Sequence, residues 1–290
     1  MSGRSALRRL VDARAGLPVP GAYDGVSARL VERAGFAAVY MTGFGTSASR
    51  LGLPDLGFAG LAEMAESVRQ MAGAVRIPLI ADADTGYGGA LAVQRTVRAY
   101  EAAGAAALHL EDQVSPKRCG HLAGKDVVPP EEMVARIRAA AEARTDPDLL
   151  LIARTDAIAV TGFDDALERA RAYARAGADV LFVEAPTTVA QVETIPKALD
   201  VPCLFNYAPG GKSPLPPVAR LAALGYAIVL LPVQTLFVAA RAIHGYLAAL
   251  RQSGEPSGLD ERLMAFAEFN ELIGVPEMLA RERRFRPAAE

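Results

Sequence analysis

Cysteine is scarce in this chain: only Cys119 and Cys203 stand among 290 residues. Two distant thiols exclude a disulfide framework and fit a reducing compartment such as the cytoplasm. An excess of positive charge is also missing. With 31 basic against 33 acidic side chains the formal net charge is −2, which leaves no electrostatic footprint for nucleic acid or an anionic membrane surface. The charged first residues are not followed by an apolar stretch, so no secretory signal is expected. One uncharged run, residues 221–240, is long enough to span a bilayer. Gly225, Pro232 and Gln234 interrupt it, and its centre reads better as a buried strand followed by a helix from Thr235. No linker or low-complexity stretch marks a domain boundary. At 51% apolar residues, the chain can bury one large core.

What the chain does contain is a weak repeat. Four times a helical pattern ends in Gly and a short apolar run follows, at Gly35, Gly104, Gly177 and Gly225. Gly just past a helix end supplies the left-handed residue that closes the last turn. The apolar runs alternate little, as parallel strands buried on both faces do. Eight strands are expected, over residues 17–21, 37–42, 78–83, 107–111, 149–154, 180–184, 202–206 and 227–232. Helical periodicity lies between them, and Pro129-Pro130-Glu131-Glu132 is a good helix start. Eight such units in a single domain, residues 1–290, predict an α/β fold of the (β/α)8 TIM-barrel type. Residues 233–290 then hold extra C-terminal helices, over 235–253 and 261–272, with no strand to cover. Their expected task is to pack on another subunit or to seal the barrel bottom.

In such a barrel, chemistry sits at the C-terminal strand ends. Read in order, those ends carry Tyr40 and Thr42, Asp82 and Asp84, His109 and Glu111, Arg154, Glu184, Asn206, then Pro232. Asp82 and Asp84 alternate along one strand, so both carboxylates are expected on its inner face. Two carboxylates that close need a cation, and hard oxygen ligands select Mg2+ or Mn2+. The competing reading is a pair of turn caps. Asp55 and Glu111 would hold metal-bound water, or serve as a turn residue and a salt-bridge partner. Arg154 needs an anion, whether a substrate carboxylate, a developing enolate or Glu184. The loop from Asn206, with its glycines and Ser213, binds a second carboxylate or is a plain turn.

Lys117-Arg118-Cys119-Gly120-His121 is the sharpest signal. Adjacent cations and an imidazole favour thiolate over thiol, so Cys119 should be more acidic than a free cysteine. A polar, Gly-bearing loop after a buried strand is where α/β scaffolds mount catalysis. The bland alternative is a surface loop that happens to hold a cysteine. Cys203, inside an apolar strand, and His244, in a late helix, read as structural.

Together, that motif, Asp82-Ala83-Asp84, the run from Leu51 through Pro54-Asp55 to Gly57, and Ala153-Arg154-Thr155-Asp156 resemble the isocitrate lyase/phosphoenolpyruvate mutase superfamily. The resemblance covers nearly the whole chain and points to the short branch of 2-methylisocitrate lyase, 2,3-dimethylmalate lyase and carboxyphosphonoenolpyruvate mutase. It implies a Mg2+-dependent barrel, a homotetramer that exchanges its C-terminal helices, and a small-molecule carboxylate as substrate. It also implies retro-aldol cleavage of a 2-hydroxy di- or tricarboxylate to a 2-oxo acid such as pyruvate plus a carboxylic acid. Cys119, on a loop over residues 115–124 that acts as a lid, would protonate the leaving fragment, with His121 tuning it. Arg154 would stabilise developing charge, and Tyr40 and Lys117 are candidates for the base. Thr42, Gly43, Phe44, Gly120, Glu184, Asn206 and Ser213 would contact substrate. The alternative within the branch is a mutase that forms a P–C bond, for which Lys212 is the one cation near strand seven. One loop departs from the pattern. Relatives of the dimethylmalate and phosphonomutase type carry Asn-Met-x-Glu-Gly-Gly, whereas here Pro209 replaces the Glu in Asn206-Tyr207-Ala208-Pro209-Gly210-Gly211. Residues 42–49 read as a turn, with Phe44 intruding where a small residue is common.

Overall fold

A computed structural model describes residues 2–120 and 124–285. Its eight strands form a closed parallel barrel in chain order, and β1 (Leu17–Ala22) pairs with β8 (Tyr226–Leu231) to shut it. Between them run β2 (Val39–Met41), β3 (Leu79–Asp82), β4 (Ala107–Glu111), β5 (Leu150–Thr155), β6 (Val180–Val183) and β7 (Cys203–Asn206). All eight expected strands are present, with ends shifted by a residue or two. The surrounding helices are α1 (Gly3–Asp12), α2 (Gly25–Arg33), α3 (Gly43–Leu51), α4 (Leu61–Ala74) and α5 (Ala90–Ala103). They continue as α6 (Pro130–Ala143), α7 (Phe163–Arg175), α8 (Val189–Ala198) and α9 (Val218–Leu224). The repeat glycines do what their spacing predicts: Gly104 and Gly225 close α5 and α9 at φ of 100° and 98°.

Strand pleating sorts side chains between two cores. Leu79, Ala81, Leu108, Leu110, Leu151, Leu181 and Val229 are buried with the helix ring, while Ile80, Leu150, Ile152, Phe182, Leu204 and Ile228 fill the barrel. The inner row turns polar at the C-terminal strand ends. There the register sets Asp82 beside His109 and Glu111 beside Arg154. The N-terminal helix α1 is not evident from strand counting. Its Leu7 and Val11 are buried in the inner core, so α1 plugs one end of the barrel and leaves the other for chemistry. Arg4 and Arg8 tie it down through Asp146 and Asp179.

Two local expectations need correction. Residues 42–49 are the start of helix α3, not a turn: Thr42 caps it by accepting the Gly45 N–H, and small residues continue it. Strand β3 ends at Asp82, and Asp84 follows in a left-handed conformation at φ 47°. Its carboxylate is therefore aimed by a turn and not by the pleat.

The chain divides into two compact units, Met1–Thr235 and Leu236–Glu290. The second is helical, with α10 (Gln234–Ser253), α11 (Phe266–Leu272) and α12 (Val275–Arg283). Phe237, Val238, Ile243, Leu247 and Phe266 are exposed on it. Among the described residues no helix is long and apolar enough to cross a membrane.

Candidate active site

The polar strand ends surround one cavity. Tyr40 from β2, Thr42 and Phe44 from the start of α3, and Asp55, Asp82, Arg154, Glu184 and Asn206 line it. Lys117, Arg118, Cys119 and Gly120 reach it from the loop after β4. Phe182, Ala208, Leu230, Pro232 and Val233 add apolar wall.

Asp82 is held on both of its oxygens. Its Oδ2 accepts the Gly43 N–H at 3.0 Å and the Tyr40 hydroxyl at 3.2 Å. Its Oδ1 accepts the Asp84 N–H at 3.0 Å and lies 3.2 Å from His109 Nε2. Gly43 is the first residue of α3, so the anion meets a helix N-terminus. A Cβ at Gly43 would overlap Asp82. Burial alone would raise Asp82, but His109, Lys117, the Asp84 N–H and Arg154 outweigh it and hold the carboxyl at about 2. Burial drives His109 itself down to about 4, which leaves the imidazole neutral at pH 7. Its Nε2 lies 2.6 Å from Tyr40 Oη. Burial first, and Asp82 second, keep that phenol protonated well above its usual range.

Lys117 Nζ bridges Asp55 at 2.5 Å and Asp84 at 2.6 Å. Burial alone would lower this amine, yet Asp84, Glu111, Asp82 and Asp55 raise it well above an ordinary lysine. Lys117 is thus held between two carboxylates. Asp84 shows the opposite balance: burial, with Asp82 and Asp55 adding to it, lifts the carboxyl to about 6. The two acids of one motif are thus driven apart.

Arg154 lies 5.0 Å over the Phe182 ring and gives Nε and Nη2 to the two oxygens of Asp156, at 2.9 and 3.0 Å. Its Nη1 is 3.3 Å from Glu111. Glu184 adds its charge nearby and accepts Asn206 Nδ2 at 3.2 Å on each oxygen. Cys119 is half-buried at the cavity, and a Cβ on Gly120 would overlap Arg154 Nη2 and Glu184 Oε1. That motif glycine lets the loop rest on the charged strand ends. Cys203 is buried in β7, as expected, where burial pushes its thiol up to about 12. His121 lies outside the described residues. Ser213 does not line the cavity; its Oγ is buried with no partner among the described residues. Gly43, Asp84 and Glu111 stand behind the lining, in contact with groups that form it.

Comparison with known proteins converges on one family. The phosphoenolpyruvate phosphomutase family matches residues 7–251. The chain belongs to the isocitrate lyase/phosphoenolpyruvate mutase superfamily. It is 42% identical to 2,3-dimethylmalate lyase of Eubacterium barkeri, over 98% of this chain and 99% of that protein. It is 41% identical to 2-methylisocitrate lyase of Aeropyrum pernix, over 98% and 91%. Among solved structures, 2,3-dimethylmalate lyase superposes with a TM-score of 0.94 at 38% identity, covering 100% of this chain and 97% of that one. Oxaloacetate acetylhydrolase gives 0.93 at 40%, with 99% of each covered. Phosphonopyruvate hydrolase, solved with oxalate and Mg2+, gives 0.86 at 34%, over 98% and 99%. The chain is an enzyme of a superfamily whose named relatives here include lyases.

The sequence assigns no role to His109, Asp156 or Arg118, because none of them shows in sequence which group it faces. The donors present fit a hard divalent cation. Asp82 and Asp84 offer carboxylate oxygens, and Glu111 Oε1 is buried with no hydrogen-bond partner among the described residues, a need that water on a cation would satisfy. Among the described residues no three acidic, His or Cys side chains converge on one point. Mg2+ suits such a site, since it takes one or two carboxylates and keeps water for the rest. With Asp84 lifted to about 6, a proton competes with the cation below that pH. Mg2+ affinity should therefore hold above about pH 6 and fall up to roughly tenfold per unit below it, with proton release on binding. Calorimetric titration from roughly pH 5 to 8 checks this, and affinity flat across that range would contradict it.

Proposed function

We propose that this enzyme cleaves an alkyl-substituted 2-hydroxy dicarboxylate of the 2,3-dimethylmalate kind into pyruvate and a short carboxylic acid. The observation that carries the reading is a cysteine set in one cavity with Asp82, Arg154 and an apolar wall. Mg2+ held by Asp82 and Asp84 would supply Lewis-acid polarisation of the substrate's oxygens. Arg154, aimed by Asp156, balances charge that grows on the substrate as its central C–C bond breaks. Tyr40 stands beside Asp82, with the neutral His109 2.6 Å behind it. The substrate's hydroxyl proton leaves to a base at this end of the cavity, for which Tyr40 is the candidate. C2 then becomes the carbonyl of pyruvate, and the bonding pair moves into the adjoining carboxylate as an enediolate. Cys119 hands its thiol proton to that carbon, which completes propionate.

The apolar part of the cavity wall favours an alkyl-substituted dicarboxylate, and Arg118 is the lining cation besides Lys117 and Arg154. Lys117 is engaged by Asp55 and Asp84, and Arg154 by Asp156 and Glu111. The remaining wall of Phe44, Ala208, Leu230, Pro232 and Val233 suits a methyl group better than an anion. Pro209, in place of Glu, adds no polar group to that end. Two free thiols fit work in the reducing cytoplasm. The exposed Phe237, Val238, Ile243, Leu247 and Phe266 fit a homotetramer joined by exchanged C-terminal helices. Sedimentation velocity should find the tetramer, and a monodisperse monomer would exclude it.

The activity test is pyruvate release, coupled to lactate dehydrogenase, with Mg2+ and a panel of 2,3-dimethylmalate and 2-methylisocitrate, while oxaloacetate is followed separately by its oxalate. Turnover should be fastest with 2,3-dimethylmalate and fall by about 10²-fold or more in Cys119→Ser. Preference for 2-methylisocitrate would overturn the dicarboxylate reading. Oxalate from oxaloacetate, or a P–C product from carboxyphosphonoenolpyruvate by phosphorus NMR, would replace the lyase with a hydrolase or a mutase.

A further inference from the structure

The two residues that flank Cys119 are each gripped through their main chain by a buried side chain that plays no part in the proposed chemistry. On one side, the Gln113 amide closes a two-way clamp on Arg118. Its Oε1 accepts the Arg118 N–H at 2.9 Å and its Nε2 donates to the Arg118 carbonyl at 2.8 Å. Gln113 is 1% exposed and is fixed in turn by a bridge to Val127. On the other side, Lys125 Nζ donates to the Gly120 carbonyl at 2.5 Å and to Asp156 Oδ1 at 2.6 Å, with its side chain 1% exposed. The thiol is therefore suspended between two fixed peptide groups.

The second grip has a further consequence. Asp156 is the carboxylate that takes two N–H groups of Arg154. Through Lys125 the same carboxylate also fixes Gly120, and Gly120 rests against Arg154 and Glu184 with no room for a Cβ. The aim of the guanidinium and the seat of the cysteine loop thus share one anchor. Residue chemistry explains the choices. A primary amide offers a donor and an acceptor in one plane, matching both groups of a peptide unit, which a carboxylate cannot do. A lysine is a compact charge with several donors, able to serve a carbonyl and a carboxylate at once.

We propose that Gln113 and Lys125 are positioning residues that hold the Cys119 thiol in register with Arg154. The proposal rests on reading Cys119 as the proton donor. Proton delivery to carbon is sensitive to placement, and a misplacement near 1 Å costs about 10²-fold. Neither side chain lines the cavity, so neither should alter cation binding directly.

The test uses the full-length Mg2+-loaded enzyme and four variants: Gln113→Leu, Gln113→Glu, Lys125→Met and Lys125→Arg. The first readout needs no substrate. Iodoacetamide is applied at a pH that ionises the Cys119 thiol, so that the alkylation rate reports access and not ionisation. Cys203 is buried and silent, and Cys119→Ser supplies the blank. Alkylation of Cys119 should rise about fivefold or more in Gln113→Leu and Lys125→Met, as the loop leaves its seat. Pyruvate release should lose about 10- to 10²-fold in kcat with KM and Mg2+ affinity little changed, and Lys125→Arg should recover part of it. If Lys125→Met does not fold, Lys125→Arg and the two Gln113 variants decide. Wild-type alkylation rates and kcat in folded variants would overturn the proposal. Should the wild-type enzyme release no pyruvate, the lyase reading fails by itself, and the alkylation rates still decide whether the two grips hold the thiol.

Discussion

Carboxylates buried at the mouth of an apolar barrel are tolerable only where fixed cations lie among them. Asp55, Asp82, Asp84, Glu111 and Asp156 are all at least nine-tenths buried. Lys117, Lys125 and Arg154 thread between them at 2.5 to 3.3 Å. Desolvating an unpaired ion costs several kcal/mol, so removing one partner strands the others. The balance is not neutral: acids outnumber bases in this cluster. Burial, with that surplus adding to it, lifts Asp84 to about 6, and Glu111 Oε1 is left without a hydrogen-bond partner among the described residues. A divalent cation held by Asp82 and Asp84 would offset that surplus.

The barrel exists to make that cluster possible. Apolar side chains on the outer strand face anchor the helix ring, while the inner row stays apolar until the last residue or two of each strand. Because α1 plugs the opposite end, the polar groups meet at one mouth only. Neighbouring strands then deliver partners side by side, Asp82 to His109 and Glu111 to Arg154. The loop after β4 brings the two groups no strand end supplies: the ammonium of Lys117 and the thiol of Cys119.

Much of this was legible in the residues because it repeats. The helix–Gly–strand pattern marks the barrel, since the period of the chain is the period of the fold. The acidic and basic strand ends stood out because charge beside an apolar run is expensive. What escaped was set by contacts across the barrel. The surroundings of Lys117 depend on Asp55 and Asp84, far apart in sequence, and only their convergence shows the ammonium held between two carboxylates. Asp84 looked like a strand residue because alternation is blind to a left-handed turn. The α3 start read as a turn because its glycines mask a Thr cap whose second task, through Gly43, is to hold Asp82. Gln113 and Lys125 carry no local signal at all, since each acts on a main-chain group.

The central claim is that Cys119 gives its proton to one face of the carbon released by cleavage. It is tested most directly by running 2,3-dimethylmalate cleavage in D2O and assigning the label in propionate by NMR. The account predicts one deuterium at C2, of a single configuration, with residual turnover by Cys119→Ser giving both configurations. The same single configuration from Cys119→Ser would contradict it, because the face would then be set by a group other than the thiol.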